Sequence, residues 1–167
     1  SDNNSCPEVI TRTYSVTDNC GNSINLIQTI AIDDTIAPVI EAAPANITVE
    51  CLDDVPAMIS LNYTDNCDAN GTVLGVDSAL VGEACGGTIT RTWNITDSCG
   101  NNAVEVSQTI TIDDTIAPVI EAAPANITVE CLDDIPAMIS LNYTDNCDAD
   151  GTVLGVDSAL VGGACGG

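Results

Sequence analysis

The run Asp65-Asn66-Cys67-Asp68-Ala69-Asn70-Gly71 places two carboxylates, two amides and a thiol in one turn. Oxygen donors at this density suit Ca²⁺, which takes six to eight oxygens from carboxylates, amides and backbone carbonyls. Two further acidic pairs, Asp33-Asp34 and Asp53-Asp54, lie upstream. All three clusters recur as Asp113-Asp114, Asp133-Asp134 and Asp145-Asn146-Cys147-Asp148-Ala149-Asp150, with Asp150 in the place of Asn70. A shorter form appears as Asp97-Ser98-Cys99-Gly100-Asn101 and as Asp18-Asn19-Cys20-Gly21-Asn22. One such turn does not fill a calcium shell, so two clusters must converge. The expected place is the joint between repeats, where Asp33 and Asp34 meet a loop of the neighbouring repeat. A plain reading stands beside this one: Asp, Asn and Gly are also the ordinary residues of tight turns, and none of the clusters has EF-hand spacing.

Sulfur chemistry is the second possibility. The chain has nine cysteines, no histidine and no Cys-x-x-Cys, which argues against zinc and for disulfides in an oxidising compartment. Cys51, Cys67, Cys85 and Cys99 form one full set; Cys6 and Cys20 align with the last two, and Cys131, Cys147 and Cys165 with the first three. Pairing neighbours gives 6–20, 51–67, 85–99 and 131–147 and leaves only Cys165 alone. The other within-repeat pairings leave both Cys6 and Cys20 without partners. Adjacent pairing is therefore expected, each bridge closing a loop of about 15 residues worth about 3 kcal/mol.

These groups must be positioned by a repeat. Thr35–Gly87 and Thr115–Gly167 are the same sequence except at Val55/Ile135, Asn70/Asp150 and Glu83/Gly163. The chain divides into 1–34, the C-terminal part of one repeat; 35–114, a complete repeat; and 115–167, the N-terminal part of a third. Ser1 and Gly167 both fall inside a repeat, as in an interior piece of a longer secreted protein. Short β-branched runs cut by turn residues predict strands at Pro38–Ala42, Asn46–Cys51, Met58–Tyr63, Thr72–Val76, Thr88–Ile95 and Ala103–Ile112. Ile89, Arg91, Trp93 and Ile95 alternate with polar residues, as do Val104, Val106, Gln108, Ile110 and Ile112. Period two with one apolar face predicts antiparallel sheets packed on one side, hence an all-β sandwich. Only Asp77–Ala84 has room for a helical turn or two. With no Phe and one Trp, the core is thin, and covalent staples and ions are expected to supplement it.

Composition closes several doors. Twenty-five acidic residues against two arginines and no lysine give a net charge of −23, which repels nucleic acid and anionic membrane. Without His or Lys, triads and Schiff-base chemistry are absent, and no enzyme is expected. No apolar run approaches the 18 or so residues a spanning helix needs. Arg91 is expected to lie buried beside Trp93 with a carboxylate partner, an arrangement that Arg12 and Tyr14 repeat. Trp93 is expected in the core. Asn46, Asn62, Asn70 and Asn94 begin Asn-x-Thr triplets.

Taken together, Pro-Ala-Asn-Ile-Thr-Val-Glu-Cys, Tyr-Thr-Asp-Asn-Cys, Cys-Gly-Gly-Thr-Ile-Thr-Arg-Thr-Trp, Thr-Asp-Ser-Cys-Gly-Asn and Gln-Thr-Ile-Thr-Ile-Asp-Asp resemble hyalin-repeat-type (HYR-like) immunoglobulin-like modules. Such modules stand in tandem in large secreted surface proteins and gliding-type adhesins of Bacteroidetes-like bacteria. The resemblance implies Ig-like sandwiches, export to the cell surface and a role in extended structures. Asp33-Asp34-Thr35-Ile36-Ala37-Pro38 also resembles the calcium linkers between cadherin repeats, without the full acidic set. Thr35, Ser78, Thr115 and Ser158 resemble O-glycan acceptors of such bacteria, each following Asp and preceding an aliphatic residue.

A near-identical repeat adds length or avidity rather than chemistry. The expected function is a structural repeat of an extracellular filament or adhesin stalk, stiffened by disulfides and Ca²⁺ at its joints. Its expected partners are neighbouring repeats and covalent glycans. The alternatives are a glycan- or protein-binding adhesin module and the subunit of a strand-exchanged polymer. Against the last, residues 1–8 and 160–167 map to the same repeat positions.

Overall fold

The computed structural model describes residues 6–83, 85–159 and 161. Their regular structure is β throughout, apart from two 3-10 turns, Leu52–Asp54 and Leu132–Asp134. The chain begins with a long hairpin, β1 (Glu8–Thr17) and β2 (Ser23–Ile32), in which Arg12 faces Gln28 and Ile10 faces Ile30.

The central repeat builds two facing sheets. The smaller contains β3 (Val39–Ile40), β5 (Ser60–Thr64) and β6 (Gly71–Leu74), in the order β3-β5-β6. The larger contains β4 (Ile47–Val49), β7 (Val76–Asp77), β8 (Val81–Glu83), β9 (Gly86–Trp93) and β10 (Val106–Asp113); it runs β4-β10-β9-β7, with β8 also on β9. The alternation read from sequence is realised in β9, where Ile89, Arg91 and Trp93 are buried and Thr90 is exposed. Ile40 and Leu61 from the smaller sheet meet Trp93 and Ala103 from the other side, and Ile89, Ile110 and Ile112 form a second cluster. Val104, predicted to share the inward face, precedes β10 and is 85% exposed.

Two expectations are corrected. The stretch reserved for helical turns, Asp77–Ala84, instead supplies parts of β7 and β8, which pair with successive segments of β9; Ala84 itself lies outside the described residues. The sheet is not wholly antiparallel either, because β4 runs parallel to β10.

The third portion repeats the smaller sheet as β11 (Val119–Ile120), β12 (Ser140–Thr144) and β13 (Gly151–Leu154). Its register is that of the first copy moved by one period: Ser60 faces Leu74, and Ser140 faces Leu154.

Trp93 is fully buried and donates its indole N–H to Ile59 O at 3.0 Å, as its core placement requires. A Cβ on Gly75 would stand 2.9 Å from its ring. Arg91 is buried as predicted and forks onto Asp77: Nε donates to Oδ1 at 2.7 Å and Nη2 to Oδ2 at 2.9 Å. Nη1 also donates to Ala57 O and Nη2 to Pro56 O, so four of the five guanidinium N–H groups of the buried cation are engaged.

A candidate metal centre between bridged repeats

Three loops converge where the leading repeat meets the central one. Asp34 comes from the linker after β2, Asp65 from the turn between β5 and β6, and Asp97 from the turn between β9 and β10. One oxygen of each lies within 4.8 Å of the others. Asp34 is 7% exposed; its Oδ1 accepts from Ile36 N–H at 3.1 Å and from Asn66 Nδ2 at 3.2 Å. Asp65 Oδ1 accepts the N–H groups of Cys67 (2.9 Å) and Asp68 (2.8 Å). The other oxygens, Asp34 Oδ2 and Asp65 Oδ2, are buried without a hydrogen-bond partner. Buried carboxylate oxygens are costly to leave unpaired, and two of them beside a third carboxylate fit a hard divalent cation.

Asp97 is positioned by an Asx turn. Its Oδ1 accepts from Cys99 N–H and Asn101 N–H, its Oδ2 accepts from Asn101 Nδ2, and Gly100 takes a positive φ of 88° to close the turn. Desolvation works against ionisation of Asp97, but the Asn101 and turn hydrogen bonds prevail and hold its carboxyl below the usual 3.8. Asn101 also donates to Asp34 O at 3.0 Å, tying the turn to the linker. Beside the cluster, the Cys67 thiol is pushed above its ordinary value by desolvation and by the charges of Asp34, Asp65 and Asp68.

The other candidate residues lie elsewhere. Asp33 and Asp113 are exposed, outside the cluster. Asp54 and Asp134 accept the N–H groups of Cys51 and Cys131, closing the 3-10 turns that also hold Asp53 and Asp133. Asp68 grips the other turn: its carboxylate takes Ser98 N–H at 2.7 Å and Ser98 Oγ–H at 2.8 Å. Asn70 Oδ1 accepts Asp65 N–H, which shapes the loop. Asp114 and Asp145 hold the same positions one period later as Asp34 and Asp65; Asn146 Nδ2 reaches Asp114 Oδ1 at 3.5 Å, while Asp148 and Asp150 are exposed. Thr35, Ser78, Thr115 and Ser158 are all exposed, and Thr115 is held by Glu50 through its N–H and hydroxyl.

The adjacent disulfide pairing is overturned. Cys6 is bonded to Cys99 and Cys51 to Cys147, with Cα separations of 5.0 and 5.1 Å. Cys20, Cys67, Cys85 and Cys131 are free and exposed, and Cys165 lies outside the described residues. The reason is geometric. Cys6 and Cys20 flank β1, and Cys85 and Cys99 flank β9; eight to ten extended residues separate such ends by about 27–34 Å, while a disulfide needs Cα atoms within about 7 Å. Cys67 sits at the Asp34 end of its repeat. Cys51 sits at the Asp114 end, where its sulfur lies 3.4 Å from Asn146 Nδ2.

Residues 39–112 match the family model of the HYR-like domain with 4 cysteines. That stretch, which is similar to an HYR-type module, contains Cys51, Cys67, Cys85 and Cys99. HYR-like domains are extracellular, non-catalytic modules of the adhesion type, and disulfides accord with an oxidising compartment. No curated protein and no solved structure matches the chain. Among the described residues, no helix is long and apolar enough to cross a membrane.

Proposed function

We propose that this chain is a load-bearing repeat of a secreted extracellular filament or adhesin stalk, with each joint between HYR-type modules locked by disulfides and by a bound Ca²⁺. The observation that carries the reading is the pair of partnerless oxygens, Asp34 Oδ2 and Asp65 Oδ2, in a three-carboxylate cluster built from the linker and two loops of the next module. A cation held there ties the linker to the module it enters and resists bending. Asp34, Asp65 and Asp97 are its anionic ligands, and water or nearby carbonyls complete a shell of six or more oxygens. The net charge of −23 keeps filaments apart in solution, and the exposed hydroxyls of Thr35, Ser78 and Ser158 are the candidate glycan acceptors. No function as an enzyme is proposed.

Thermal melting of the chain against Ca²⁺ tests this. Saturation at a hundred times the dissociation constant adds about 2.7 kcal/mol of stability, and Asp34→Asn abolishes the shift. A melting temperature indifferent to millimolar Ca²⁺ and to chelator overturns the calcium joint.

A further inference from the structure

Two links join the same two pieces of chain where the leading repeat meets the central one. One is the carboxylate cluster of Asp34, Asp65 and Asp97; the other is the Cys6–Cys99 disulfide. Asp97 and Cys99 share a turn, in which Asp97 Oδ1 accepts the Cys99 N–H at 2.9 Å. Asp34 and Cys6 share one end of the β1–β2 hairpin. Glu8 pairs with Ile32 there; Cys6 stands two residues before Glu8, and Asp34 two residues after Ile32.

We propose that the Cys6–Cys99 disulfide regulates the cation site: the bridge holds Asp34 against Asp97, so a divalent cation binds the oxidised joint more tightly than the reduced one. This rests on the calcium reading of the cluster.

Two of the three carboxylates are brought together without the bridge. Asp68, in the turn of Asp65, takes the N–H and the hydroxyl of Ser98, in the turn of Asp97, at 2.7 and 2.8 Å. Asp34 is the ligand that arrives from the leading repeat, on the chain leaving β2. Two side-chain hydrogen bonds hold it to those turns: Asn66 Nδ2 donates to its Oδ1 at 3.2 Å and Asn101 Nδ2 to its carbonyl at 3.0 Å. Hydrogen bonds of this kind contribute modestly, and three like charges at this spacing push apart. A covalent tie between the hairpin end and the Asp97 turn resists that repulsion whether or not a cation is present. What points to a cation is Asp34 itself, 7% exposed with Oδ2 lacking a partner, as does Asp65 Oδ2.

The second bridge has the same construction. Cys147 is joined to Cys51 of the repeat before it, and its N–H is held by Asp145 Oδ1 at 3.0 Å. Both bridges therefore end in an acidic turn whose carboxylate grips the bridged cysteine's own amide. The consequence at the Asp34 site is an order of assembly: full cation affinity follows closure of the bridge, which takes place in an oxidising compartment. Linkage is reciprocal, so a bound cation protects the bridge from reduction by the same factor.

Reduction by a dithiol such as dithiothreitol moves one electron pair. A thiolate attacks one sulfur of the bridge and releases the other as a thiolate; the reagent's second thiolate then displaces the mixed disulfide. The bridge becomes two cysteine thiols and the dithiol becomes a cyclic disulfide.

Calorimetric titration of Ca²⁺ into the oxidised chain and into Cys6→Ser tests the coupling, with Trp93 emission checking that the central repeat stays folded. Cys6→Ser is expected to weaken Ca²⁺ at least fivefold, the lower end of typical couplings between sites. A second measurement uses the unmodified chain. In a dithiothreitol redox buffer, with the bridged fraction read by alkylation and peptide mapping, saturating Ca²⁺ is expected to shift the Cys6–Cys99 midpoint toward more reducing conditions by a similar factor. Asp97→Asn removes that shift. Equal Ca²⁺ affinity with and without the bridge, while Asp34→Asn still abolishes binding, overturns the coupling and leaves the calcium site standing. A bridge whose reduction ignores Ca²⁺ overturns the coupling as well. An oxidised chain that binds no Ca²⁺ overturns both.

Discussion

The central repeat and the third portion of the chain carry almost the same residues and end up differently. Ile47–Val49 is a strand because β10 lies beside it; the identical Ile127–Val129 is not assigned as one, and Ile127 is 64% exposed. Val76 pairs with β9, whereas Val156 pairs with nothing described and is 93% exposed. Sheets β3-β5-β6 and β11-β12-β13, by contrast, form in the same register in both places. Local pairing of nearby strands therefore survives alone, while β4, β7 and the buried core exist only where a β9–β10 hairpin closes the sandwich. The β1–β2 hairpin gives the same lesson from the other side, folded but with both faces open.

Matched substitutions sharpen this contrast. The largest difference is expected at the aromatic position: Trp93→Ala removes a fully buried ring and costs about 3–5 kcal/mol in urea unfolding, whereas Tyr14→Ala costs well under 1. Equal losses at the two sites would dissolve the distinction. Next come the arginines. Arg91→Ala strands Asp77 and two carbonyl acceptors and costs roughly 3 kcal/mol, at the low end for a buried pair because Asp77 keeps some solvent; Arg12→Ala stays within about 0.5. Then the glycines: Gly75→Ala drives a methyl against Trp93 and costs about 1–3 kcal/mol, while a Cβ on Gly155 has nothing within 4 Å, so Gly155→Ala is neutral or slightly stabilising.

The smallest difference is expected where the interaction is local. Hydrogen bonds from the Asn62 side chain and then its backbone hold Glu41 below the usual 4.5, against desolvation, and Asn142 does the same for Glu121. A depressed folded value means that each contribution is complete above about pH 4.5 and disappears as pH falls through the lower folded value. NMR titration is expected to give matching midpoints below 4.5 for the two; a normal Glu121 beside a lowered Glu41 would show that even this sheet depends on its cover.

Much of this was legible in the sequence. Period-two alternation located β9 and β10 and the inward set of Ile89, Arg91 and Trp93, because one-sided burial writes itself into the pattern. That Asp34 meets a loop of the next repeat was also legible, since it stands at a repeat boundary. The third carboxylate of the cluster, Asp97, was visible only as part of a shorter form of the acidic turn and was not named as a ligand, because only the fold brings it to Asp34. Asp77 as the partner of Arg91 was equally hidden, since pairing between β7 and β9 is non-local. The disulfides were misread because each repeat was treated as a closed unit. The signal that corrects this was present, for the strand between Cys85 and Cys99 is too long to let its two ends meet.

Peptide mapping of the unreduced chain tests the account most directly. Links from Cys51 to Cys147 and from Cys6 to Cys99 are expected, each fastening one repeat to the next. Recovery of Cys51 joined to Cys67 and Cys85 joined to Cys99 would contradict it, because the repeats would then be stapled singly and their joints held by no covalent bond.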